Sequence, residues 1–294
     1  MNSQKETKND SLLFQNYLII FLDILGQRQE LRKIKGIPMI EEEKPIFLQK
    51  IKKTIGTIDF LRNSFEDYFK ASNSYETDTN LVPPEFAQEF KACQKSEVYF
   101  YGFSDSIIIA VPLMSNDENC SAKNGIYTAL LATGGISLLA IAGKTILRGG
   151  LDVGVATKIQ KNEIYGPALE RAYYLESNIA EYPRFVVGDE FLEYLRWVEH
   201  KDYKTLRGKV AKEQAKLCQT FITQDTDGFF MLDFLGKSIK KAGGGSIDSG
   251  IVKSAYDFLV SQHKKFVAKE DLKLTSRYFR ILNYFHSRMK VWNL

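Results

Sequence analysis

The sequence predicts an α+β protein: a mixed β-sheet flanked by helices, with a helical extension at the C-terminal end. Three observations predict it. Short β-type apolar runs recur at residues 17–23, 98–111, 145–157, 184–188 and 229–235, with helical periodicity between several of them. No strand-like run follows residue 235, where two amphipathic stretches close the chain. With 44% hydrophobic and 26% charged residues over 294 positions, the chain is of ordinary globular composition and long enough for an ample core.

Taken in order, residues 1–16 read as a flexible lead and Tyr17 to Asp23 as the first strand. Gly26 then opens a charged helical stretch, Gln27 to Lys35. Residues 37–95 read as a helical insertion. Ile46, Phe47, Ile51, Ile55, Ile58 and Leu61 recur at helical spacing and predict a long helix over Pro45 to Tyr68, followed by a polar loop over Ser72 to Pro84. Glu97 to Pro112 splits into two strands around Gly102 to Asp105.

Ile126 to Gly143 carries no charged residue and reaches nominal membrane-spanning length. Its Ala, Gly and Thr content, with Gly134-Gly135 and Ser137, and the lack of an aromatic belt or flanking positive cluster favour a helix buried against the sheet, so no membrane span is expected. Thr145 to Thr157 follows as a strand, Lys158 to Glu163 as a turn, and a helix from Pro167 to Ala180. Arg184 to Gly188 is a short strand leading into a helix over Asp189 to Glu199, whose acidic start suits the helix dipole. Phe229 to Leu235 reads as the last strand, Lys237 to Gly250 as a Lys- and Gly-rich loop with solvated lysines at 237, 240 and 241, and Ile251 to Lys269 and Ser276 to Met289 as helices. Residues 17–235 are expected to form one domain, on which residues 236–294 pack.

Composition narrows the chemistry. A net charge of +4 suits a small polyanionic ligand and is too weak to predict nucleic-acid binding. Cys93, Cys120 and Cys218 are odd in number and lack metal-ligand spacing, which fits reduced thiols in a cytoplasm. His200, His263 and His286 neighbour no nucleophile-like motif, which argues against a histidine triad or zinc site. Met1 to Asp10 has no signal-type apolar core, so a cytoplasmic location is expected.

The candidate chemistry begins with two misplaced charges. Leu18-Ile-Ile-Phe-Leu-Asp23-Ile-Leu-Gly26 and Val98-Tyr-Phe-Tyr-Gly-Phe-Ser-Asp105-Ser-Ile-Ile-Ile-Ala-Val111 each place an aspartate among apolar β-type residues. A buried carboxylate without a partner costs several kcal/mol or neutralises. Two of them meeting on neighbouring strands can hold divalent cations; the plainer reading is two strand-end aspartates capping turns. Arg148 ends an apolar strand beside Gly149-Gly150 and suits either a phosphate or a structural bridge to Glu170 or Asp152. Tyr101 and Phe103 suit base contact or simple half-buried strand positions, and Gly166-Pro167 suits phosphate binding or a plain helix start.

Four segments, in order and spacing, resemble the class III nucleotidyl cyclase catalytic domain. They are Phe21-Leu-Asp23-Ile24-Leu-Gly26, Tyr101-Gly-Phe-Ser-Asp105, Leu147-Arg148-Gly-Gly150-Leu-Asp-Val-Gly154, and Ile164-Tyr165-Gly166-Pro-Ala-Leu-Glu-Arg-Ala-Tyr-Tyr-Leu-Glu176-Ser177. Within that family the Asp-Ile-Leu-Gly, Phe-Ser-Asp-Ser, Arg-Gly-Gly and Gly-Pro-Ala patterns are similar to the bacterial pyrimidine cyclases of Pycsar antiphage systems. The resemblance implies a class III cyclase-like sheet and conversion of UTP or CTP to the 3′,5′-cyclic monophosphate and pyrophosphate. It also implies a homodimer with sites at the interface, and a separate effector that senses the cyclic nucleotide in antiviral defence. Asp23 and Asp105, with the Ile24 carbonyl, would hold two Mn²⁺ or Mg²⁺ ions, and Arg148 would act beside them. Substrate contacts are implied at Phe21, Gly26, Tyr101, Phe103, Glu163 and Glu170.

The chain departs from the purine cyclases at four positions. The base-selecting lysine and aspartate of that family fall on Tyr101 and Glu163, and its transition-state asparagine and arginine on Glu170 and Tyr174. A phenol in place of an ammonium changes the hydrogen bonds offered to a base, which points away from adenine and guanine. The alternatives are a purine cyclase and a cyclase-like binding module without turnover.

Overall fold

The apolar runs assemble into an eight-stranded mixed sheet in the computed structural model of the chain. It describes residues 14–26, 32, 34, 36–74, 84, 96–103, 105–113, 122–160, 163–243 and 248–294. The strands are β1 (Phe14–Leu25), β2 (Tyr99–Phe103), β3 (Ser106–Pro112), β4 (Ile146–Gln160), β5 (Glu163–Tyr165), β6 (Phe185–Val187), β7 (Ile222–Gln224) and β8 (Phe230–Leu232). They lie in the order β2-β3-β1-β4-β6-β8-β7, with β5 pairing on β4. The β4–β6 pair is parallel and every other pair antiparallel.

Strand β1 has a neighbour on each edge and a layer on each face, which is why it reads as an almost unbroken apolar run and not as an alternation. Leu18, Ile20, Leu22 and Ile24 face the larger core. That core takes Leu61, Phe65 and Phe69 from α1 (Lys44–Ser74), Ile126 to Ala140 from α2 (Ala122–Ala142), and Phe191, Leu195 and Val198 from α4 (Asp189–His200). Tyr17, Ile19 and Phe21 face the other way, against Tyr101, Ile108 and the small residues Ala168 and Ala172 of α3 (Pro167–Tyr174).

Helix α3 lies close on β4 because glycine makes room for it. A Cβ on Gly150 would stand 2.3 Å from the Ala172 carbonyl oxygen and 2.8 Å from the Glu176 nitrogen. The helix then widens into a π-type turn, Leu175–Ile179, which carries Glu176 inward. The C-terminal helices α7 (Ser249–Val267) and α8 (Leu272–Trp292) pack with Ile146, Tyr182, Met231 and Phe234, and Leu25 is partly buried against the same cluster. They therefore cover the end of the sheet where β1 finishes and β4 begins.

Several boundaries differ from the sequence reading. Strand β1 starts at Phe14, not Tyr17, because its ladder with β4 reaches Phe14 opposite Thr157. Helix α1 continues through Ser74 into the expected loop. Strand β4 runs on to Gln160 and the expected turn is a hairpin to β5. The last strand contracts to Phe230–Leu232. The Lys237–Gly250 loop begins with a helix, α6 (Lys237–Ala242), anchored by buried Ile239. Lys240 is not simply solvated, since its ammonium donates to the Val291 carbonyl at 2.6 Å. Helix α5 (Leu206–Gln219) and β7 were not predicted; the buried face of α5 is made of Val210, Ala211, Ala215 and Cys218 with the polar Gln214 among them. The expected helix at Gln27–Lys35 lies largely outside the described residues, as do the lead before Phe14 and most of the loop after Ser74.

Helix α2 is the one helix among the described residues long and apolar enough to cross a membrane, and 83% of that window is buried within the protein. Two of its hydroxyls are satisfied within the helix: Thr133 donates to the Ala129 carbonyl at 2.7 Å and Ser137 to the Thr133 carbonyl at 2.5 Å.

The close contact at Gly150 yields a test. Gly150→Ala forces α3 and the Glu176 turn outward and is expected to cost about 1–3 kcal/mol, as overpacking of a filled site does. Denaturant unfolding measures it, and a variant as stable as the parent would contradict this packing.

Candidate functional site

The candidate site is one row of residues across the sheet. In the ladders Asp23 stands opposite Ser106 on β3 and opposite Arg148 on β4, while Phe103 of β2 stands opposite Ser106. Asp105 precedes Ser106 at the β2–β3 turn. The sequence placed the two aspartates 82 residues apart (105 − 23); the antiparallel β1–β3 pairing brings them to the same end of the same two strands. Both are buried, at 3% and 2% exposure.

The Asp23 carboxylate is held from both sides. The Ser106 hydroxyl donates to Oδ1 at 3.3 Å, and the Arg148 guanidinium lies 3.9 Å from Oδ2. Arg148 also meets Glu176, with Nε and Oε1 2.6 Å apart, a close ion pair whose angle falls short of a hydrogen bond. Its Nη1 reaches the Ala180 carbonyl at 3.4 Å. One guanidinium is thus shared by two buried carboxylates from different elements. This corrects the sequence reading of Arg148: its partners are Asp23 and Glu176, not Glu170 or Asp152. It also gives Asp23 a protein partner that the sequence did not reveal.

Asp152 has its own partners. Arg171 Nε donates to Oδ2 at 2.8 Å, and the Val153 and Phe191 backbone N–H groups each donate to Oδ1 at 2.9 Å. Burial nevertheless raises its pKa above the ordinary carboxylate range, outweighing those bonds. Arg171 is thereby committed to locking α3 onto β4, since its Nη2 also donates to the Val153 carbonyl at 2.6 Å.

The remaining predicted residues divide into two groups. Phe21 lies two rows from Asp23, on the same face, and meets the exposed Tyr173 ring edge-on at 5.2 Å. Tyr101 shares that row, is buried, and its hydroxyl is pushed up to about 12 by burial and then by Tyr17, so it remains a neutral phenol. Ile24 faces the large core, leaving its backbone beside Asp23. Gly26 ends β1 with φ of +90°, a left-handed conformation that favours glycine.

Glu163 is not brought to this end. It pairs with Gln160, twelve residues along β4 from Arg148 (160 − 148), or roughly 40 Å of strand. Glu170 is exposed on the outer side of α3, and Tyr174 is half-exposed. Gly166 and the start of α3 also lie at the far end, against Val155 and Ala156. The room beside Gly149 and Gly150 is taken by the Phe185 ring and by α3, so this glycine pair serves packing.

No group of three or more His, Cys, Asp and Glu residues able to hold a metal is present among the described residues. The chain offers a carboxylate pair and an adjacent backbone carbonyl. Such a donor set fits Mg²⁺ or Mn²⁺, hard ions bound through one or two carboxylates completed by substrate phosphates.

A second ionic cluster fixes the neighbouring corner. Arg184 is 1% exposed and grips Asp227 through two nitrogens, at 2.9 and 2.6 Å, and also pairs with Asp225. Arg280 of α8 joins Glu181 and Asp227, each at 2.7 Å. Sequence reasoning missed this cluster, whose members come from three separate stretches.

Comparison of the chain with family models, curated proteins and solved structures returned no match.

Asp227 makes the cluster pH-sensitive. Burial opposes its charge, but hydrogen bonds and charge from Arg184, with Arg280, hold its carboxyl below the ordinary range. A depressed carboxyl stabilises the fold above its unfolded pKa of about 4 and loses that contribution as pH falls through the folded value. Asp227→Asn is expected to lower stability at neutral pH and to flatten the decline on acidification. Denaturant midpoints measured from pH 7 downward check this, and an unchanged acid limb would contradict it.

Proposed function

We propose that the chain is a metal-dependent nucleotidyl cyclase that converts UTP or CTP to the 3′,5′-cyclic monophosphate and pyrophosphate. The observation that carries this reading is the buried pair Asp23 and Asp105 at one end of adjacent strands, with Ser106 and Arg148 pinning Asp23. The chain order of a central strand, a helical insertion, a β2–β3 hairpin, a buried helix, β4 and then α3 supports a class III cyclase-like fold.

In the reaction the ribose 3′-oxygen bonds to the α-phosphorus and the bond to the bridging oxygen of the β-phosphate breaks. Pyrophosphate leaves with that electron pair, and the hydroxyl proton passes to water. Mg²⁺ or Mn²⁺ on Asp23 and Asp105 would lower the pKa of the attacking hydroxyl and neutralise the leaving phosphates. The Ser106 bond and the Arg148 contact set the orientation of the Asp23 carboxylate. Arg148 adds positive charge at the same end of the sheet, and Glu176 fixes its position. The helices that cover this end limit the access of water.

Tyr101, a neutral phenol two rows from Asp23, favours a pyrimidine reading over the purine cyclase alternative, whose selecting group is a cation. The separation of Glu163 from Asp23 favours a homodimer in which one chain supplies the aspartates and its partner the Glu163 end. The product would act in the cytoplasm as an antiviral signal on a separate cyclic-nucleotide-sensing effector. One observation favours the reading as a binding module without turnover: Arg148 is already engaged by Glu176.

Incubation of the pure protein with each of the four nucleoside triphosphates and Mn²⁺ tests the reading. Cyclic UMP or cyclic CMP is expected, and binding without any cyclic product would leave the module instead. Asp23→Ala and Asp105→Asn are each expected to lower turnover by about a hundredfold or more while the circular dichroism spectrum is retained. Undiminished activity in either variant would remove that carboxylate from the mechanism.

A further inference from the structure

The basic and aromatic residues on the body-facing side of α8 are nearly all committed. Arg280 pairs with Glu181 and Asp227, Tyr284 donates to Asp233 at 2.9 Å, and Arg288 donates to Asp233 at 2.8 Å. Ile281 is fully buried in the cluster that contains Ile146 and Tyr182. Arg277 lies one turn before Ile281 and three residues before Arg280, so it belongs to this same inward side, and it is half-buried. Unlike those neighbours it makes no hydrogen bond or ion pair among the described residues.

Its position is fixed from two directions. Arg280 ties α8 to Glu181, and Arg148 reaches the carbonyl of the adjacent Ala180. Ile146, two residues before Arg148, packs in the same cluster as Ile281. Arg277 is therefore held at the mouth of the Asp23–Arg148 row. Burial, and then the charge of Arg148, lower its pKa, while Glu181 and Asp271 offset this in part. Holding two guanidinium groups near each other in a partly desolvated corner is unfavourable unless an anion comes between them.

We propose that Arg277 is a second phosphate-binding guanidinium of the candidate site, reaching from the C-terminal helix to the triphosphate of the bound nucleotide. This deepens the cyclase reading and rests on it for the identity of the anion. It adds a second cation beside Arg148, where the positions resembling the transition-state asparagine and arginine hold Glu170 and Tyr174, both exposed. Phosphate charge gathers on the leaving group as the bond to the α-phosphorus breaks, and a guanidinium that forms no ion pair among the described residues answers it without first giving one up.

The test measures binding of inorganic triphosphate with Mn²⁺ by calorimetry to the full-length parent, Arg277→Ala and Arg277→Lys, beside cyclisation assays of all three. Arg277→Ala is expected to weaken triphosphate binding by about tenfold or more, as loss of a charge-assisted contact does, with Arg277→Lys between. Its unfolding midpoint is expected to stay level or rise, because a repulsion is relieved; a purely structural arginine would lower it. Equal triphosphate affinity in parent and Arg277→Ala, or no binding by the parent, would overturn the assignment. Arg277-dependent binding by a parent that cyclises no nucleotide would uphold Arg277 as an anion ligand and overturn the cyclase reading.

Discussion

The constraint on which the site depends is the burial of β1 on both faces and both edges. A strand so enclosed has no water to offer the Asp23 charge, so its partners must come from the row in which it lies. The ladders supply Ser106 on one side and Arg148 on the other. Moving either pairing by one residue would turn those side chains to the opposite face and leave the carboxylate among leucines and isoleucines. Register and site chemistry are therefore the same constraint. The apolar length of β1 that drives sheet formation also fixes which polar groups meet Asp23.

Arg148 in turn needs more than Asp23, which lies 3.9 Å from it. The closer contact is with Glu176, from an element that arrives some thirty residues later in the chain. That carboxylate reaches the row because α3 sits against Gly150 with no side chain between them, and because the helix widens after Tyr174. Removing one partner from a buried ion pair is costly, commonly about 3–5 kcal/mol, since the charge left behind has been desolvated. Glu176 and Gly150 are thus coupled: the glycine creates the approach that the ion pair requires. The Asp152–Arg171 pair repeats the device further along β4, binding the same helix to the same strand.

Much of the fold was legible in the sequence because its signals are local. The β-type runs, the helical spacing of α1 and the small-residue composition of α2 all reflect burial patterns confined to single elements. Asp23 and Asp105 were legible for the same reason, each being a charge in an apolar run. Their neighbours were not. Glu176 sits in a stretch with Glu170 and Arg171 that reads as a solvated helix face, and only the π-type turn carries it inward. Arg184 looks like the polar start of a short strand, yet its partners Asp225 and Asp227 come from a turn some forty residues away. Helix α5 escaped because its buried face is made of Val, Ala and Cys with the polar Gln214 among them, a periodicity that is faint among its lysines. What the sequence withheld was pairing across the fold, which depends on register and not on composition.

The length of β4 sets the last step. Asp23 and Arg148 occupy one end of the sheet and Glu163 the other, roughly 40 Å apart along the strand. A nucleoside triphosphate is far too short to touch both. Tyr101, by contrast, lies two rows from Asp23 on the neighbouring hairpin, within reach of a ligand seated on the aspartates. Two consequences follow for the cyclase reading. Among the described residues, Tyr101 and its row are on the side of the sheet end that could meet a base whose phosphates lie at Asp23 and Arg148. For Glu163 to contact the same base, a second copy must present its own hairpin end to the first, which is the geometry of an antiparallel two-fold pair. The dimer is then a requirement of Glu163 as a base reader, and the Tyr101 row is the part of the site that a single chain can provide.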